Sequence, residues 1–192
     1  SLLLAALILS PSAFAANAPF VFGTVNQAAL ARFAPLPTPQ ADSTDSGYRI
    51  ALDWTNEYVV DQSGGEDLLL DGESLRLGLN GRIRHGQWLF GAELPLLFTG
   101  GGSLDGLIEN WHDWFGLPNG GREQRPRGKY AYRYNDNGIG VLDDEHGHSG
   151  IGDMRLSAAR CDDSGACLRT MLQLPTGDAD HLMGGGLGLA AW

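Results

Sequence analysis

Two stretches of the chain alternate with a period of two, and in both the face opposite the apolar one is charged. In YRIALDWTNEY, Tyr48, Ile50, Leu52, Trp54, Asn56 and Tyr58 share one face, while Arg49, Ala51, Asp53, Thr55 and Glu57 share the other. ESLRLGLNGRIRHGQWLFGAELPLLF repeats the pattern twice. Leu75, Leu77, Leu79, Gly81 and Ile83 alternate with Arg76, Gly78, Asn80, Arg82 and Arg84; beyond a tight turn at His85-Gly86, Trp88, Phe90, Ala92, Leu94 and Leu96 continue the apolar face. Only β-strands keep side chains on alternate faces in this way. A two-residue hairpin at that turn pairs Ile83 with Trp88 and Gly81 with Phe90, so that an aromatic ring covers the glycine.

Such strands suit a soluble sandwich with its charged face in water, or a membrane barrel with its charged face in the lumen. Burying Arg49, Asp53, Arg76, Arg82 and Glu93 in a closed dry core would cost several kcal/mol per ion unless each were well paired, and a polar lumen removes that cost. Tyr48 and Tyr58 are ten residues apart on the apolar face. On a tilted strand they lie about 25 Å apart along a membrane normal, the height of the apolar band between the two aromatic girdles of an outer-membrane barrel. Connections alternate as well: DQSGGEDLLLDG is long, His85-Gly86 short, Thr99 to His148 very long, CDDSGAC short and TGDADHLMGG longer. Short periplasmic turns alternating with long external loops are a barrel's signature. The expected fold is therefore all-β, an antiparallel outer-membrane β-barrel present in part, with one short amphipathic helix in a long external loop.

The N-terminus places the chain in the envelope. SLLLAALILSPSAFAA has an apolar run, Leu2 to Leu9, followed by an Ala13-Phe14-Ala15 cleavage pattern, which reads as a secretory signal over 1–15, clipped at its start. Residues 16–46, rich in Pro, Ala and polar residues, read as an extended periplasmic lead-in, and 47–192 as the N-terminal portion of the barrel. The formal charge of -10 argues against nucleic acid, which requires clustered Lys and Arg. In an oxidising compartment Cys161 and Cys167, flanking the turn Asp162-Asp163-Ser164-Gly165, are expected to form a disulfide that staples a hairpin.

GGGSLDGLIENWHDWFGLPNGGR carries the densest chemistry. Ser103 offers an N-cap, Leu104, Leu107, Ile108, Trp111 and Phe115 follow at helical spacing, and Gly116 with Pro118 ends the helix. The opposite face holds Asp105, Glu109, His112 and Asp113. The helix is expected to fold inward as a constriction, its apolar stripe packed on loop or wall and His112 facing the aqueous path. Glu109 and His112, one turn apart, also form half of a candidate divalent-metal site. The other half would come from Asp143, Asp144, Glu145, His146 and His148, imidazole and carboxylate being suitable ligands. Solvated charged loops give the same pattern without a metal. GHSGI, around Ser149, falls short of a nucleophile elbow because Ile151 replaces the last glycine.

VNQAALARFAPLP, GESLRLGLNGRI, WLFGAELPLL, the long loop block, SGIGDMRL and LQLPTGD together resemble a Gram-negative envelope family, domain of unknown function 3187, from about Val25 to Trp192. The resemblance implies an outer-membrane barrel and carries no catalytic residues. Its members are longer than this chain, which implies a further C-terminal portion. The expected function is a channel or transporter for a small solute with a loop constriction, in contact with the lipid bilayer of the outer membrane and needing no cofactor. Arg49, Asp53, Arg76, Arg82, Glu93, Glu109 and His112 are the expected lumen or constriction residues. An outer-membrane enzyme with a rim or metal site, or a structural or adhesive barrel, are the alternatives.

Overall fold

A computed structural model describes residues 27–35, 46–162 and 166–192. The proposed signal at 1–15 and most of the lead-in at 16–46 lie outside the described residues. Strands β1 (Gly47–Ser63), β2 (Glu66–His85) and β3 (Trp88–Gly100) form an antiparallel meander. Helix α1 (Asp105–Phe115) follows, then β4 (Ala131–Asp136), β5 (Ile139–Asp144), β6 (Ser149–Ile151), β7 (Met154–Cys161), β8 (Cys167–Leu174) and β9 (Gly188–Ala191). All nine strands join one antiparallel sheet, curled like half of a barrel. The fold is all-β with barrel-like curvature, as the alternation requires.

The strand parity is as read from the sequence. Tyr48, Ile50, Leu52 and Trp54 are exposed on the convex face, as are Ile83, Trp88 and Phe90, whereas Asp53, Arg76 and Glu93 are buried on the concave one. The β2–β3 turn differs by one residue: it is Gly86-Gln87, with Gly86 at φ 59°, so Ile83 pairs with Phe90 and Gly81 with Ala92. A left-handed first turn residue favours glycine. Gly81 still gains an aromatic cover, but from Tyr48, directly opposite on β1. Cys161 and Cys167, the closing pair of the β7–β8 hairpin, form the expected disulfide.

The first connection is not a long loop. β1 and β2 run on to a two-residue turn at Gly64-Gly65, and the LLL segment is strand. The partner that makes this possible lies inside the long connection, where β4 pairs with residues 66–71 of β2 and β5 pairs with β4. Long connections commonly hide structure of this kind, because an unpaired backbone of about fifty residues would leave its polar groups to water. On the concave side of this extension Leu70, Tyr130 and Tyr132 form a small core with Ala29, flanked by Leu68, Leu142 and Leu182. Among the described residues β1, β5, β6 and β9 each pair with only one strand, and the outer strands β1 and β9 do not pair with each other.

Candidate functional site

The concave face carries a ladder of paired charges. Asp53 and Arg76 stand opposite each other on β1 and β2, and Arg76 Nη1 donates to Asp53 Oδ2 at 3.3 Å. The guanidinium folds over Gly78, where a Cβ would come within 2.8 Å of it, and so reaches Glu93 on β3, forming a second ion pair. All three side chains are only 6% exposed. Arg155 stands opposite Glu93 on β7, and its Nε donates to Gln173 Oε1 on β8 at 3.2 Å. Polar contacts thus link β1, β2 and β3 through Arg76, and β7 and β8 through Arg155. Such a face is tolerable when buried only because each charge finds a partner of opposite sign or a hydrogen bond. Arg49 and Arg82 lie on the same face towards the Gly86 end, Arg49 opposite Asn80 and Arg82 opposite Gly47.

The ladder ends on a segment read from the sequence as extended lead-in. Residues 29–33 form a short 3-10 helix that packs into the concave side, with Gln27, Ala29 and Arg32 buried. The Ala29 N–H donates to Glu57 Oε2 at 3.1 Å, and the Tyr132 hydroxyl donates to the same oxygen at 3.0 Å. Arg32 donates to the Leu182 carbonyl at 3.0 Å and to the Gln27 carbonyl at 3.2 Å. Gly186 and Gly188 allow the close approach: a Cβ on either would lie 2.7 Å from the Phe33 carbonyl oxygen or 2.5 Å from Pro35. This inward plug corrects the expectation of an extended lead-in for residues 27–35. ALARF has too few residues to show a period, so composition alone made it look like linker.

Asp153 holds the plug's bed. Its Oδ1 accepts the N–H groups of Gly177 and Gly185 at 2.9 and 2.7 Å, and its Oδ2 accepts Gly186 N–H and Gln173 Nε2, both at 2.9 Å. The motifs SGIGDMRL and LQLPTGD meet here, Asp153 from one and Gln173 and Gly177 from the other. Sequence reasoning missed Asp153, since an acidic residue beside a glycine looks like an ordinary turn. Its burial is the deciding feature, and it became visible only in three dimensions.

Helix α1 has the opposite arrangement to the one expected. It packs on the convex side of the β1–β2 hairpin through its polar face, and Asp105 and Glu109 are its buried residues. Asp105 Oδ1 accepts from Asn56 Nδ2 and Arg122 Nη1, each at 2.8 Å, and Oδ2 accepts from the Gly128 N–H at 2.8 Å. Glu109 Oε2 accepts from Arg127 Nε at 2.8 Å. Ser103 is not the N-cap: Leu104 occupies that position, and its N–H donates to Glu73, which also accepts from Trp54 Nε1 and Asn56 Nδ2. Gly116, at φ 64°, does close the helix. The stripe of Leu107, Trp111, Trp114 and Phe115 faces outward, with Trp114 79% exposed. Arginines within the same loop neutralise the acidic face, so that face, rather than the apolar one, is covered.

Consequently Glu109 and His112 are not on the concave face and do not join the other histidines. Glu109 is held by Arg127, and His112 Nδ1 lies 2.9 Å from Asn119 Oδ1. His146 contributes its backbone N–H to Asp144 Oδ1 at 3.2 Å. His148 is instead brought to Asp144 and to His181, which lies 33 positions further along the chain. Burial raises the Asp144 carboxyl, but hydrogen bonds from His148 and the His146 N–H outweigh it and leave the group below the usual carboxylate range. Asp143 and Glu145 both pair with Arg133.

Searches among curated proteins and among solved structures found no match. One family model, described as protein of unknown function (DUF3187), matches residues 2–191. That span includes the plug, the concave ladder, the α1 loop and the Asp153 bed, and the chain belongs to this family.

Proposed function

We propose that the curled sheet is the N-terminal portion of an outer-membrane β-barrel, exported through a signal peptide at 1–15, that forms a narrow, gated passage for small solutes. In this reading the convex face meets lipid, the concave face is the lumen, and further strands close the barrel by pairing with the outer strands β1 and β9. The observation that carries it is the buried ladder Asp53–Arg76–Glu93 on one face of strands whose other face is exposed and apolar. A sandwich in water would place its charges outside and its leucines inside, the reverse of this arrangement.

The constriction belongs to residues 27–35 rather than to α1. The plug occupies the concave side and is held by a few hydrogen bonds, donated to Glu57 and to the Leu182 carbonyl and accepted from Gln173. Both signs of charge line the path, which suits small polar solutes without a strong preference for anions or cations. Helix α1 then lies where the apolar band meets the upper end of the strands, with its aromatic stripe at the lipid interface. Tyr58 marks that height: its hydroxyl donates to the Gly121 carbonyl at 3.2 Å and its ring lies under Arg122.

The test is conductance of the full-length protein in planar bilayers, with solute uptake into liposomes as a second readout. Deleting residues 27–35, or replacing Arg32 by Ala, should raise both. If neither native nor plug-deleted protein conducts, the passage is wrong and a structural or adhesive barrel is the better reading. A rise on trimming α1 with none on deleting the plug would return the constriction to the external loop.

A further inference from the structure

One group of imidazole and carboxylate side chains among the described residues converges on a single point: Asp144 at the end of β5, His148 just before β6, and His181 in the connection between β8 and β9. Their candidate ligand atoms all lie within 4.8 Å of one another. Asp144 is 10% exposed, and its Oδ1 lies 3.0 Å from His148 Nε2. Its Oδ2 lies 3.7 Å from His181 Nδ1, too far for a hydrogen bond, and both atoms are buried without a hydrogen-bond partner. Two buried polar atoms facing each other across such a gap leave an uncompensated desolvation cost. Among the described residues no arginine or lysine pairs with Asp144 to offset its charge.

We propose that Asp144, His148 and His181 bind a divalent transition-metal ion of the zinc class. Two imidazoles and one carboxylate suit zinc and its neighbours in the first row, whereas calcium and magnesium prefer oxygen ligands alone. In a tetrahedral site with bonds of about 2.1 Å, neighbouring ligand atoms stand about 3.4 Å apart. His148 Nε2 stands 3.0 Å from Asp144 Oδ1 and His181 Nδ1 3.7 Å from Oδ2, one imidazole beside each carboxylate oxygen at distances near that edge. The imidazoles stack at 3.6 Å between centroids, which keeps both rings beside the Asp144 carboxylate. A fourth position is left for water.

The site joins parts of the chain that strand pairing leaves separate. His148 is tied to β3 through its carbonyl, which accepts the Thr99 N–H at 2.8 Å, and His181 precedes Leu182, whose carbonyl accepts from plug residue Arg32. An ion here pins the β8–β9 connection across the end of the plug. Metal occupancy therefore controls how firmly the plug is held. The site itself stands whether or not the protein conducts solutes.

The experiment uses the full chain in detergent, stripped with chelator and titrated with Co2+ and then with Zn2+. One Co2+ should bind per chain with a visible absorption band, and Zn2+ should displace it. His148→Ala and His181→Gln should each weaken binding by at least the roughly 10–100-fold that loss of a mere outer-shell partner costs. His112→Ala should leave it unchanged. X-ray absorption on the Zn2+-loaded native protein should show two imidazole nitrogens, a readout that requires no variant to fold. Fewer than two, or full affinity in His181→Gln with native circular dichroism, overturns the site.

Discussion

Replacing Arg76 by Met removes the centre of the concave ladder while keeping a side chain of similar length. Asp53 and Glu93 then remain as carboxylates whose side chains are 6% exposed, with the guanidinium that faced both of them gone. Breaking a buried ion pair from one side costs about 3–5 kcal/mol, because the remaining charge is desolvated and uncompensated. Arg155, opposite Glu93 on β7, offsets part of this and places the expectation near 3 kcal/mol. The triple variant Asp53→Asn, Arg76→Met, Glu93→Gln removes charge and countercharge together and should fall within about 1 kcal/mol of the native protein. Urea unfolding of the full chain in lipid vesicles, followed by tryptophan fluorescence, measures both. A loss below about 1 kcal/mol in Arg76→Met, or a triple variant as damaged as the single one, would mean that water reaches the ladder and that it is not buried.

Other expectations follow from the same faces. Leu77→Arg on the convex face should destabilise the protein in a bilayer by roughly 2–4 kcal/mol if it lies near the midplane, while Thr55→Arg on the concave face should cost clearly less. Gly78 is unsuitable as the inner control, because any Cβ there meets the Arg76 guanidinium. Brominated lipids should quench fluorescence from Trp111 and Trp114, compared against Trp111→Phe and Trp114→Phe; an unquenched α1 would place the stripe in water or against a partner. Asp153→Ala leaves three backbone N–H groups and Gln173 Nε2 without their acceptor, and should cost at least about 3 kcal/mol and speed proteolysis within 175–187.

The strands were legible because parity needs only a count of alternate residues, and the disulfide because a short turn between two cysteines leaves little choice of geometry. The β2–β3 register was harder. Shifting the turn from His85-Gly86 to Gly86-Gln87 preserves every side chain's face, so the hydrophobic pattern does not distinguish the two. Amphipathicity in α1 was equally plain, but periodicity does not say which face the rest of the chain covers. The answer lay in GGREQRPRG, whose Arg122 and Arg127 complete the shells of Asp105 and Glu109. The plug was hidden for a different reason: its anchors use the Ala29 N–H and the Arg32 and Leu182 carbonyls, and backbone groups leave no mark in composition. His181 meets His148 and Asp144 only through the path of the chain, because it lies 33 positions beyond His148.

The chain's distribution of cations shows why Asp144 differs from its fellow carboxylates. It has 13 basic residues against 23 acidic ones, and Lys129 is the only lysine, so almost every cation is a planar guanidinium able to serve two acceptors at once. Four arginines go to buried acids: Arg76 to Asp53 and Glu93, Arg122 to Asp105, Arg125 to Asp71 and Arg127 to Glu109. Two buried carboxylates without an arginine are surrounded by neutral donors instead. Glu73 accepts from Trp54, Asn56 and the Leu104 N–H, and Asp153 accepts four donors on its two oxygens. Asp144 has neither provision: one backbone donor and one imidazole meet Oδ1, and Oδ2 meets only the unsatisfied Nδ1 of His181. In a protein that compensates its other buried acids so thoroughly, an oxygen and a nitrogen left facing each other are best explained by a cation between them.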